Sequence, residues 1–210
     1  EDPLDMLTSH LSPVGEAVHN RIYAFRDIDY KKGAPSTARN AITDTDMYDA
    51  TSNTLGTLTG TALQTEINTN FKTKKGWYIN LKESSDLTLP NGLTTSWVGE
   101  KGLAKTTIFE GILNVTTFTP SNDTTAAATC AASEGQAKVY ALNYLDGTPG
   151  LDLNGDGVVD RSIAIGGGIP SEVVVVVRPG GSTGLVNVSG GSTQVPIGQS
   201  PGPQKSYWHD

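Results

Sequence analysis

Residues 172–178 read Glu172-Val-Val-Val-Val-Val-Arg178, a run of β-branched side chains set between two opposite charges. Valine is stiff at χ1 and packs well on a pleated surface, so the run reads as a strand. It is apolar on both faces, which predicts a central strand covered from two sides. It is also the longest apolar run in the chain, far short of the ~20 residues that a membrane-spanning helix needs. Outward from it, Gly (24) and Pro (11) punctuate short stretches rich in Val, Ile, Thr and Tyr. Such stretches read as strands: Arg21–Arg26, Gly76–Leu81, Lys105–Phe109, Ile112–Thr119, Lys138–Leu142, Arg161–Ile165 and Gly184–Val188.

Helical signal is thin. Thr61–Lys72 places Leu63, Ile67 and Phe71 on one face at i, i+4 and i+8, enough for a short helix. Asp44–Tyr48 suits a single turn capped by Asp44 or Thr45. The expected fold class is therefore mostly β, with antiparallel sheets, one short helix and long loops. Residues 1–20 read as an irregular N-terminal segment, 21–178 as a β domain, and 179–210 as a Gly/Ser/Pro-rich tail with one embedded strand. Pro120–Ala132 reads as a Thr/Ala-rich loop.

The chain has 210 residues, a formal net charge of −7 and a sequence pI near 4.9. That balance argues against a nucleic-acid partner, which requires a basic stripe. At 36% hydrophobic it supports one core or a little more. Glu1-Asp-Pro-Leu4 begins without a basic start or an apolar core, so an exported form is expected to be a mature or trimmed piece. Cys130 is the single cysteine, which leaves no internal disulfide; with no His or second Cys nearby in sequence, it reads as a small hydrophobe or idle thiol.

Residues 152–160, Asp-Leu-Asn-Gly-Asp-Gly-Val-Val-Asp, carry the most chemistry in the least length. Side-chain oxygens at loop positions 1, 3, 5 and 9 with a glycine at position 6 suit a hard cation, since calcium takes six to eight oxygens at roughly 2.3–2.6 Å. The expected ligands are the side chains of Asp152, Asn154, Asp156 and Asp160 and the carbonyl of Val158. Gly157 is expected at φ > 0, where the turn is sharpest. Position 12, a bidentate Glu in the helix–loop–helix form, is Ile163 within a strand-like Ser162-Ile-Ala-Ile165. Fewer charged ligands imply weaker binding, roughly micromolar to millimolar, which fits a structural ion in a calcium-rich, extracellular setting.

The order of several segments resembles the C-terminal part of the PilY family of type IV pilus assembly factors and tip adhesins. They are Asn20-Arg-Ile-Tyr-Ala-Phe-Arg-Asp27, Ile42-Thr-Asp-Thr-Asp-Met-Tyr-Asp-Ala-Thr51, Lys75-Gly-Trp-Tyr-Ile-Asn-Leu81 and Gly99-Glu-Lys101. Ile112-Leu-Asn-Val-Thr-Thr-Phe-Thr-Pro120, Ala137-Lys-Val-Tyr-Ala-Leu-Asn-Tyr-Leu-Asp-Gly147, Gly168-Ile-Pro-Ser171 and Ser206-Tyr-Trp208 complete the series. The resemblance implies partial or modified β-propeller blades at the cell surface, associated with the pilus. It implies that the loop carries Ca²⁺ linked to pilus function or adhesion, through Asp152, Asn154, Asp156, Val158 and Asp160. It departs from the family after the loop, where Ser162-Ile-Ala-Ile-Gly-Gly-Gly-Ile-Pro-Ser171 replaces the usual Gly-Asp…Gly…Trp pattern, and in length, since whole family members are several times longer.

Open blades expose strand edges that template pairing with another chain. The partners expected are pilus proteins or copies of this chain, as a homo-oligomer or filament, with the C-terminal tail as one docking strand and a surface or glycan receptor as a further target. Other candidates are weaker. Asp44, Asp46 and Asp49 fit a solvated capped turn better than a cation patch. Nothing places Glu100 and Glu110 as an acid–base pair. His10, His19 and His209 read as loop residues, and no nucleophile elbow, Walker loop or His-Glu-x-x-His occurs, so enzyme activity is not expected. Trp77 and Tyr78 read as one core ring and one outward ring rather than a sugar platform. Asn114, Asn122 and Asn187 begin Asn-x-Ser/Thr triplets, a weak glycosylation signal. The leading expectation is a calcium-stabilised structural or adhesive module; a self-assembling filament subunit and a carbohydrate-active or recognition module are the alternatives.

Overall fold

A computed structural model of the protein describes residues 19–26, 42–83, 86–88, 94–120, 134–179 and 181–198. Cys130, His10, His209, Trp208 and Asn122, and most of the segments read as 1–20 and 120–132, lie outside the described residues. The strands are β1 (Arg21–Phe25), β2 (Tyr48–Asp49), β3 (Gly76–Asn80), β4 (Leu87–Thr88), β5 (Thr94–Thr95), β6 (Lys101–Gly102) and β7 (Thr107–Phe109). They continue as β8 (Ile112–Thr119), β9 (Gln136–Asn143), β10 (Ser162–Gly166), β11 (Val174–Arg178), β12 (Gly181–Val188) and β13 (Gly191–Val195).

These strands form open sheets in the orders β1-β3-β2, β10-β9-β8-β6 with β7 also on β8, and β11-β12-β13, plus a β4-β5 ribbon. All pairings are antiparallel except β2 with β3. The expected mostly-β, antiparallel class is therefore what the chain adopts.

The middle sheet is the spine. Strands β8 and β9 pair over their whole length, from Ile112↔Asn143 to Thr119↔Gln136. Alternation sends successive side chains to opposite faces. Leu113, Val115, Tyr140 and Leu142 meet Ile22, Tyr48, Trp77 and Ile79 of the first sheet. Val139, from the opposite parity, meets Val173, Val186, Val195 and Ile197 at the third sheet. Ile112 and Ala141 close on Leu151 and Leu153. Three sheets are thus stacked face to face, and each fully buried apolar side chain contributes about 1.5–3 kcal/mol relative to exposure.

The valine run is not the central strand. Strand β11 pairs with β12 alone, and Val174 and Val177 are 50% and 69% exposed. The strands covered on both sides are β8 and β9, whose buried positions include Asn114, Thr116 and Thr117. Each of these polar groups makes a bond inside: Asn114 Nδ2 donates to Ile112 O (3.3 Å), Thr116 Oγ1 to Ser171 O (2.9 Å), and Thr117 Oγ1 to Glu100 (2.6 Å). Polar groups bonded in this way can occupy a core that pattern alone assigns to valine, although Asn114 Oδ1 finds no partner among the described residues.

Two further expectations change. The stretch read as a tail with one strand forms a hairpin of β12 and β13, and Val186, Val195 and Ile197 are among its buried residues. The Asp44–Asp46 turn is capped by Thr43 instead of Asp44 or Thr45: its amide donates to Asp46 Oδ2 at 2.9 Å and its hydroxyl at 3.0 Å. The helix runs Gly60–Glu66 and widens into a π turn over Ile67–Phe71, with Lys72 N bonding to Ile67 O at 2.9 Å. Leu63, Ile67 and Phe71 do share its core-facing side. No helix among the described residues is long and apolar enough to cross a membrane.

Candidate metal-binding loop

The 152–160 loop lies in the connection from β9 to β10, and its ends are tied before it begins. Isolated bridges pair Leu142 with Pro149 and Leu151 with Asp160, and Asp160 N donates to Leu151 O at 2.7 Å. Leu151 and Leu153 are buried beneath, while Val158 and Val159 are exposed. The loop is a rim fastened to the core by its leucines.

Within it, the acidic side chains fold onto the loop's own amides. Asp152 Oδ1 accepts from Gly155 N (2.6 Å) and Asp156 N (3.2 Å), and its Oδ2 accepts from Gly157 N (2.8 Å). Asn154 Oδ1 accepts from Asp156 N at 2.9 Å, and Asp156 Oδ1 accepts from Val158 N at 2.8 Å. Asn154 Nδ2 donates to Asp156 Oδ2 at 3.1 Å, and Asp160 Oδ2 accepts from Leu153 N at 3.1 Å. Gly155 and Gly157 sit at φ +82 and +88, as expected for Gly157; an added Cβ would meet nothing within 4 Å, so the requirement there is conformational, not steric.

These bonds have an electrostatic result. The amide of Gly157, with those of its neighbours, holds the Asp152 carboxyl below its ordinary 3.8, so it stays ionised. The adjacent base does not neutralise the loop. Arg161 Nη1 donates to Thr51 O (2.5 Å) and Nη2 to Ala50 O (2.8 Å) and Gly147 O (3.4 Å). Among the described residues no ion pair engages Asp152, Asp156 or Asp160.

The donor set fits a hard cation: oxygens only, on one short loop, with anionic charge that no ion pair among the described residues compensates. A carboxylate has about four acceptor positions, and none of these three has all of them filled by the bonds above. In the arrangement described, however, no cluster of three or more His, Cys, Asp or Glu side chains stands ready to hold a metal among the described residues.

Sequence reasoning missed two features. Arg161, which fastens the far side of the loop to the turn at 50–51, looked like the first residue of a strand. A groove of about 510 Å³ separates the helix from the loop, lined by Leu55, Leu63, Ile67, Phe71, Val158 and Val159 among others. Only the tertiary fold brings those segments together.

The remaining candidates disperse. Asp44 pairs with Arg21, Asp46 accepts from the cap residue Thr43, and Asp49 accepts from Thr51 N at 2.9 Å. Glu100 is buried, accepting from Tyr140 OH (2.8 Å), Thr117 Oγ1 (2.6 Å) and Lys138 Nζ (3.1 Å), whereas Glu110 is exposed at a turn with φ +49. Trp77 is in the core with Nε1 donating to Tyr144 O at 3.1 Å; Tyr78 lies 5.9 Å from Tyr23 and under Arg21 on the outer face. His19 stacks on Trp97 at 3.9 Å. Asn114 is fully buried, which removes it as a glycosylation acceptor. Comparison with known proteins finds no matching family model, no matching curated protein and no matching solved structure.

Proposed function

We propose that the chain is an extracellular calcium-binding structural or adhesive module of the type IV pilus system, with sheets that correspond to blades of the PilY-like propeller. The observation that carries the metal reading is the 152–160 loop, whose ends are tied by the Leu151–Asp160 bridge and whose acidic charge no basic side chain among the described residues neutralises. A bound Ca²⁺ would screen the mutual repulsion of Asp152, Asp156 and Asp160, about 1 kcal/mol or more per pair at surface-like screening. Asp152, Asn154, Asp156, Val158 and Asp160 would supply the oxygens, and solvent the rest. The pilus and cell-surface assignment rests on the segment order given above and on no property of the loop.

Calorimetric titration with calcium, run beside thermal melting in calcium and in chelator, tests the metal reading. The expected result is one site of micromolar to millimolar affinity, a lower melting temperature in chelator, and no calcium response in Asp156→Ala. An identical melting curve with and without millimolar calcium overturns it. A second reading, a subunit that assembles through strand edges, is supported by the exposed side chains of β11.

A further inference from the structure

The groove between the helix and the metal loop has two apolar walls and one polar end. Leu63, Ile67 and Phe71 form the first wall, on one side of the helix and its π turn. Val158 and Val159, 63% and 54% exposed, stand on the loop that forms the second. Contiguous apolar side chains left facing solvent mark interaction sites. The volume of about 510 Å³ falls within the ~300–1,000 Å³ of ligand-binding clefts.

The polar end carries acceptors that lack a donor. Asp146 Oδ1 accepts from the amide of Thr148 at 3.0 Å and from its hydroxyl at 2.7 Å, whereas Oδ2 accepts from no group among the described residues. Asn53 Oδ1 is buried without a partner among the described residues, on a backbone held at φ +55. Left-handed backbone outside glycine is sparsely populated and gathers at ligand clamps. Asp146 is the sole charged residue of the lining among the described residues. Neighbouring cations are engaged elsewhere: Arg161 on three backbone carbonyls, Arg26 over the Phe71 ring at 4.5 Å, and Lys72 on Asn68 at 3.0 Å.

We propose that the groove binds an extended peptide segment of a partner protein, with two apolar side chains between the walls and a lysine or arginine against Asp146. Length selects a chain over a compact small molecule. From Leu63 to Phe71 the helix and its π turn rise about 12 Å at ~1.5 Å per residue, the span of about four extended residues at ~3.3 Å each. Alternate side chains of such a segment share one face, so two can enter the groove while those between them stay in water. The open carboxylate oxygen selects a cation, whose charge-assisted hydrogen bond is stronger than a neutral one. Both walls are in place as the loop stands, so the site is independent of the metal reading.

Fluorescence anisotropy of the full chain with labelled acetyl-Lys-Leu-Ser-Leu-Lys-amide, in physiological salt, tests this. Saturable binding is expected. The Glu-Leu-Ser-Leu-Glu peptide should bind about tenfold more weakly, because its carboxylates meet Asp146, and Lys-Ser-Ser-Ser-Lys equally so, because it has no apolar side chain to bury. Asp146→Asn keeps the oxygen that accepts from Thr148 and leaves every other acidic group in place; it should cut the preference for lysine over glutamate about threefold or more. Val159→Lys, at an exposed position, should weaken the lysine peptide about tenfold by setting like charges together. Circular dichroism checks that each variant is folded, and the lysine-to-glutamate ratio is a quantity that a folding defect does not move. Absence of saturation at millimolar peptide, equal binding of the serine peptide, or an unchanged ratio in Asp146→Asn overturns the proposal. Hexylammonium chloride binding as tightly as the peptide would assign the groove to a small amphiphilic amine and overturn it as well.

Discussion

Lys138 Nζ stands 3.1 Å from Glu100, whose side chain has 0% exposure, and 3.2 Å from Glu83, which remains partly solvated. The ammonium therefore bridges one carboxylate inside the protein and one at its rim. Tyr140 and Thr117 supply the other donors to Glu100, so the buried charge is compensated and hydrogen-bonded. Burying an ion is tolerable only in that condition.

Removing the acceptor should therefore cost more than removing a surface pair. Glu100→Ala leaves the Tyr140 and Thr117 hydroxyls without their acceptor and is expected to lower stability by about 3–5 kcal/mol. Glu100→Gln keeps an oxygen for Tyr140 and should lose less. Urea denaturation of the two variants checks both the size and the order; equal midpoints for Glu100→Ala and the native protein would contradict it.

The same neighbourhood sets the response to alkali. Burial, the largest influence, lowers the pKa of Lys138, but the charges of Glu100 and Glu83 outweigh it and the net shift is upward from 10.5. The stabilisation from this raised pKa is complete below the unfolded value and is lost as pH rises through the folded one. Burial and the bond to Glu66 push Tyr48 up to about 12 from 10.0, and burial with the charge of Glu100 raises Tyr140 still further. Above the ordinary tyrosine value the unfolded chain ionises while the native one stays protonated. Melting temperature should therefore fall from about pH 10 upward, with a shallower decline in Tyr48→Phe. A flat melting temperature to about pH 12 would refute the assignment.

Arg161 holds three backbone carbonyls at once, and the forked guanidinium is what reaches them. Arg161→Ala is expected to lose about 2–4 kcal/mol, because buried carbonyls lose a charged donor. Arg161→Lys should recover less than half of that, since one ammonium cannot span the three acceptors. Denaturant midpoints for the pair give the comparison, and full recovery by lysine would rule out the forked geometry as the reason.

Gly147 combines two demands. Its φ is +71, and an added Cβ would lie 2.8 Å from Cε3 of the buried Trp77 ring. Gly147→Ala should lose about 2–4 kcal/mol, the left-handed penalty plus overpacking against the indole. Thermal melting measures it, and a variant as stable as the native chain would mean the turn relaxes away from the ring.

Much of this architecture was legible in the amino acids, and the failures have physical causes. Ile112–Thr119 was bounded correctly because apolar and Thr residues fill it evenly between Gly111 and Pro120. Its burial was not legible, because Asn114, Thr116 and Thr117 disguise a doubly covered strand as a half-exposed one. The valine run misled in the opposite sense, since its composition says strand but only its neighbours decide edge or centre. Strand β13, Gly-Ser-Thr-Gln-Val195, has no alternation to detect and depends on β12 for its existence. In the candidate site the turn at Gly157 followed from spacing alone. The anchoring of the loop by Arg161 did not, because its acceptors lie on residues 50, 51 and 147.

The bond that joins Leu151 and Asp160 has a mechanical corollary. Tension drawn along the backbone from β9 towards β10 passes across that short bridge and leaves the eight intervening residues slack. Its oxygens would keep their spacing while the rest of the molecule is under load, until the bridge itself unzips.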